Sequence, residues 1–152
     1  MIEVIYLLRI GLSIFLGFII GLEREQSDKP AGLRTILFIM LGATLTVIFS
    51  LKYLSIADSF DAMRAIAYYL VAIGFVGGGI ISRKQGKVEG ITTASLLLPI
   101  SIIGFMCGIG DYSLAIISTL IIYIVLKLKY LKVKIELRRN KRSKTNVKKR
   151  KS

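Results

Sequence analysis

The sequence predicts an all-α membrane protein: a compact bundle of five transmembrane helices with short loops and a disordered basic C-terminal tail. Three observations predict it. Apolar residues make up 54 % of the 152 positions, above the roughly 45–50 % of soluble domains. Charge is segregated. Residues 127–152 hold 13 Lys and Arg and one acid, Glu136, so they carry +12 of the net +13, and residues 1–126 carry only +1. Between the charged stretches lie five apolar runs, at 4–22, 35–51, 65–82, 91–107 and 113–126, close to the roughly 17–25 residues that cross a bilayer. The runs are apolar all round and offer no polar outer face, which argues against a water-soluble bundle.

The first run carries Arg9 near its outer end and a Gly17/Gly21 stripe. An arginine in lipid snorkels or finds a partner; Asp58, Asp61 and Asp111 are the candidate acids for a structural clamp. The second run is uninterrupted. The third has Gly74 and Gly78 four apart and the unbroken triplet 77–79, the triplet being a place for a kink or a close approach. The fourth contains Pro99 and a further Gly104/Gly108 stripe. Small residues four apart let membrane helices approach closely, so all three stripes are expected to pack. The fifth run is short and borrows Leu128, Tyr130 and Leu131 while Lys127 and Lys129 snorkel. The transmembrane domain is therefore set at 1–131 and the basic tail at 132–152. From Arg138 onward the tail is too charged to bury a core.

Connections at 23–34, 52–64, 83–90 and 108–112 make neighbouring helices antiparallel. Lys and Arg concentrate in the first and third connections (Arg24, Lys29, Arg34; Arg83, Lys84, Lys87) and in the tail. The positive-inside rule then places the N-terminus outside and the C-terminus in the cytoplasm. The N-terminal Met-Ile-Glu lacks a basic leader, so a cleaved signal is not expected.

The chain has no histidine and one cysteine, Cys107. Ser–His and Cys–His nucleophile pairs and a Cys/His zinc set are excluded. No carboxylate pair stands beside a nucleophile, so an enzyme is not expected, and no cofactor is implied. The runs also lack a deep acid of the kind that relays protons in carriers. Polar residues gather at the cytoplasmic helix ends: Glu23, Arg24, Glu25, Gly32, Arg34, Thr35, Arg83, Glu89, Gly90, Thr92 and Thr93. One reading is a boundary network, with Glu23, Glu25 and Glu89 pairing with Arg24, Arg34 and Arg83 and the threonines capping backbone. The other makes Glu23 and Glu25 ligands of Mg²⁺, which takes carboxylate and water oxygens. The tail suits anionic lipid, at about 1 kcal/mol per basic residue near the surface. With only Tyr130 for stacking it is not read as binding nucleic acid.

These pieces, in order, resemble the MgtC/SapB family of bacterial inner-membrane proteins over about residues 7–110. The carrying residues are Arg9 with Gly17-x-x-x-Gly21-Leu-Glu23-Arg24-Glu25, then Ala31-Gly32-Leu-Arg34-Thr35, then Leu41-Gly-Ala43. Asp61-x-x-Arg64 follows, then Ile73-Gly74-Phe-Val-Gly77-Gly-Gly79-Ile-Ile81, and last Val88-Glu-Gly90-Ile-Thr92-Thr93-Ala94 with Gly104 and Gly108. Departures are Leu98 and Pro99 where the family has a tryptophan, Tyr68 where it often has glutamine, and a basic tail where many members carry a soluble domain. The resemblance implies a multi-pass protein of the bacterial plasma (inner) membrane, regulatory in adaptation to low magnesium and in some pathogens in host survival. Its expected partners are the lipid bilayer and either another membrane complex or further copies of itself as a homo-oligomer. The alternative is an oligomeric transporter or channel for Mg²⁺ or another cation, with 77–79 near its pathway.

Overall fold

The computed structural model describes residues 2–54, 61–84 and 87–128. The apolar runs become helices α1 (Ile2–Gln26), α2 (Leu33–Leu54), α3 (Ala62–Ile80) and α4 (Ile91–Ile109), followed by the shorter α5 (Tyr112–Leu128). The first four are long and apolar enough to cross a membrane. At about 1.5 Å per residue, the 17 residues of α5 reach about 26 Å, short of the roughly 30 Å hydrocarbon core. The all-α expectation needs one correction. Residues 82–89, read as a plain connection, contain two short antiparallel strands, β1 (Ser82–Lys84) and β2 (Lys87–Glu89).

Helix boundaries follow from local chemistry. Asp61 caps α3 by accepting from the Arg64 amide at 3.1 Å, and Asp111 does the same for α5 through the Leu114 amide at 3.1 Å. Each carboxylate answers an amide that the first helical turn leaves unpaired. α4 ends at Gly110, whose φ of 99° lets its amide and that of Asp111 return to the Met106 carbonyl. Pro99 lies inside α4 without breaking it. Its ring nitrogen cannot donate to the preceding turn, a loss that membrane helices tolerate when neighbouring helices surround them.

α4 is the central helix, packed against α1, α2 and α3. Over half of its apolar window is buried (56 %), against 11 % for α3. Ile20 of α1, Ile36 and Met40 of α2, and Leu97, Ile100 and Ile103 of α4 are fully enclosed. Glycine allows this spacing. A Cβ on Gly104 would stand 2.7 Å from the Met40 carbonyl oxygen, and one on Gly108 would stand 2.8 Å from that of Thr44. Gly21 meets Leu33 as closely, with the Leu33 Cα 3.0 Å from its Cβ position. The third stripe behaves differently. Among the described residues, a Cβ at positions 74, 78 or 79 would have nothing within 4 Å, and of the triplet only Gly77 meets a neighbour, Ala94 of α4. α3 runs through the triplet as continuous helix.

The chain divides into two compact units, Met1–Thr119 and Leu120–Ser152. The described part of the second is the last turns of α5, where the Lys127 ammonium lies 5.4 Å from the Tyr123 ring centre. Asp58, the 131/132 division and the tail lie outside the described residues.

Candidate functional site

Polar side chains form three levels along the seam between α1, α2 and α4. At the end where α1 finishes and α4 begins, Glu23 and Arg24 are both buried. Arg24 Nη2 donates to Thr93 Oγ1 at 2.6 Å, joining the two helix ends across 69 residues of sequence. Glu23 Oε1 accepts from Ser27 Oγ at 2.9 Å, while Oε2 is buried with no hydrogen-bond partner among the described residues. Glu25 is exposed and turns away to accept from the Leu33 amide at 2.8 Å, closing the loop that enters α2. Gly32 sits directly against that carboxylate, where any Cβ would collide with it.

The expected Glu–Arg pairs are thus replaced by other contacts at Glu23 and Glu25. The reason is the first turn of α2, whose free amide competes for the Glu25 carboxylate. Glu23 and Glu25 are not brought together either. Two residues apart on a helix, they lie about 200° around its axis, and their carboxylates engage Ser27 and Leu33 separately. No group of three or more His, Cys, Asp and Glu able to hold a metal occurs among the described residues. Arg34, Arg83, Glu89 and Thr92 are exposed and Thr35 is half-buried.

At mid-depth, Thr44 Oγ1 lies 2.8 Å from Ser13 Oγ and 2.9 Å from the carbonyls of Met40 and Gly104. A hydroxyl carries one hydrogen. The arrangement that serves both side chains has Thr44 donating to one carbonyl and Ser13 donating to Thr44. One threonine therefore ties α1, α2 and α4 together. Sequence reasoning missed this pair, because Ser13 and Thr44 are ordinary residues inside apolar runs.

At the far end, Arg9 Nη1 donates to the Gly108 carbonyl at 2.7 Å, and its guanidinium lies 5.9 Å from the Tyr6 ring centre. Of its expected acidic partners, Asp61 and Asp111 serve as helix caps instead, and Asp58 lies outside the described residues. The last carbonyls of a helix are unpaired and carry partial negative charge, so the end of α4 holds the cation among the described residues. Gly110 clears the space, since a Cβ there would stand 3.0 Å from Arg9 Nη2.

The glycine, arginine and threonine positions singled out in the sequence divide by location. Arg9, Gly17, Gly21, Arg24, Gly32 and Thr93 shape contacts among α1, α2 and α4. Asp61 and the exposed Arg64 only begin α3. Gly90 has a φ of 90° and touches the Ile80 carbonyl, so it turns the chain from β2 into α4 where no other residue fits.

The model of the MgtC family matches residues 10–134. Protein SapB of Bacillus subtilis is 35 % identical over 126 residues, covering 78 % of this chain and 53 % of its own. Protein MgtC of Salmonella typhimurium is 36 % identical over 118 residues, covering 77 % of this chain and 49 % of its own. The chain spans about half the length of these curated relatives. No solved structure matches. On this similarity the chain belongs to the MgtC family.

Proposed function

From that membership, we propose that the chain is a non-enzymatic regulator of the bacterial plasma (inner) membrane, acting in adaptation to low magnesium through helix contacts with another membrane complex. The name of the Salmonella relative supports the magnesium theme. The observation that carries the contact mechanism is the outer side of α3. Among the described residues, a Cβ at positions 74, 78 or 79 would meet no neighbour, while Gly17, Gly21, Gly104 and Gly108 are enclosed. Small residues with no intramolecular neighbour are where a second membrane helix approaches most closely.

The orientation reading gains support from the Arg24–Thr93 bond. It joins the 27–32 loop end to the strand-bearing end, so Lys29, Arg34, Arg83, Lys84 and Lys87 share one side of the bundle. By the positive-inside rule that side is cytoplasmic. The N-terminus is then outside. In this reading α5 is the fifth span, and the basic tail meets anionic lipid.

The test is growth of a strain lacking the protein under magnesium limitation, with and without re-expression. Purified protein in vesicles is assayed for Mg²⁺ flux alongside it. The regulatory reading expects a growth defect that re-expression cures and no flux above empty vesicles. Flux well above that baseline would replace it with the oligomeric transporter.

A further inference from the structure

The two strands between α3 and α4 have a division of faces that the helical body does not explain. The register pairs Ser82 with Glu89, Arg83 with Val88 and Lys84 with Lys87. Side chains alternate across a strand, and directly paired residues share a face. Ile81 is extended as well, with φ −75° and ψ 117°, so it continues the alternation on the side of Arg83. One face therefore presents Ile81, Arg83 and Val88, and the other presents Ser82, Lys87 and Glu89. Neither apolar residue is covered: Ile81 is 44 % exposed and Val88 52 %. Two strands alone are marginally stable in water.

Position supplies what covers that face. The strands leave the end of one membrane-length helix and enter the start of the next. Gly90, pressed on the Ile80 carbonyl, roots them at that level. Helices of that length end where hydrocarbon gives way to phospholipid headgroups. Apolar side chains mixed with arginine suit this layer, the apolar groups entering the acyl boundary and the guanidinium meeting phosphate.

We propose that the paired strands β1 and β2 lie on the membrane surface, with Ile81 and Val88 seated in the bilayer interface and Arg83 on lipid phosphate. Lys87 and Glu89 then face water. The paired strands fix the depth of the α3–α4 pair in the membrane, whatever complex the protein regulates. Anionic lipid strengthens the seat because Arg83 and the nearby lysines raise the local positive potential.

The experiment uses the full chain reconstituted in phosphatidylethanolamine/phosphatidylglycerol vesicles. Val88→Cys and Lys87→Cys variants each carry a thiol-linked fluorophore, and the lipids carry a quencher at headgroup depth. Both positions are exposed, so neither substitution removes a buried contact, and native Cys107 is buried away from the label. Quenching several-fold stronger at Val88 than at Lys87 is expected. Arg83→Glu should cut the Val88 signal by at least half while leaving the helical circular dichroism unchanged. Equal quenching at the two positions would overturn the proposal. So would Val88→Cys chains that cross-link to each other and escape lipid quenching, since a second copy would then be the cover.

Discussion

The same glycine spacing has two destinations in this molecule. On α1 and α4, Gly21, Gly104 and Gly108 draw helices together until backbone lies against backbone, and Gly17 admits the Met40 and Leu37 side chains. On α3, Gly74 and Gly78 have the same interval and meet no neighbour among the described residues. α3 is held to its neighbours by other means. Tyr69 donates to the Ile39 carbonyl of α2 at 2.7 Å over the gap left by Gly42, and its ring meets Phe105 of α4 edge-on at 5.5 Å. The difference teaches that a small-residue stripe marks a capacity for close approach, and that the occupant is set by the rest of the fold. In α1, α2 and α4 the chain fills its own stripes. In α3 it leaves one open.

Substitutions can break the comparison. The largest effect is expected at Gly108→Val, which pushes side-chain carbons into the Thr44 carbonyl and Val47. A cost of about 3 kcal/mol follows from forced overpacking, read as loss of the monodisperse detergent-solubilised protein. Gly21→Ala should cost about 2 kcal/mol, because the Leu33 Cα cannot withdraw without moving α2. Thr44→Val removes the hydroxyl shared by three helices, for about 1 kcal/mol on the scale of intramembrane hydrogen bonds. Both are measured by denaturant unfolding in micelles. Tyr69→Phe should cost about 0.6 kcal/mol by the same measure, since the ring stays packed. Gly78→Ala comes last: with open space and better helix propensity it should leave stability unchanged or raise it by up to about 1 kcal/mol. A loss there comparable to Gly21→Ala would erase the distinction between the two regions.

Much of this was legible in the sequence. Unbroken apolar runs located every helix to within a few residues, because a helix in lipid satisfies its own backbone and needs only length and composition. The strand pair was not legible: three-residue strands rich in Arg, Lys and Glu carry no strand signal beyond one valine. Arg9 in an apolar run calls for a partner, but the sequence displays side chains, and the partner among the described residues is a backbone carbonyl. Glu23 and Arg24 were placed correctly at a helix end, while their separate destinations, Ser27 and Thr93, depended on how α1 and α4 meet. Nothing in the spacing of Gly74 and Gly78 distinguishes them from Gly17 and Gly21, since the difference lies entirely in what packs alongside.

The central claim is that the open face of α3 carries the regulatory contact while the other helices hold the fold. Its most direct test is the Gly74→Leu/Gly78→Leu double variant, expressed in a strain lacking the protein and grown under magnesium limitation. The account predicts normal membrane insertion and detergent stability together with failure to restore growth. Full restoration at wild-type expression would contradict it and move the contact surface elsewhere.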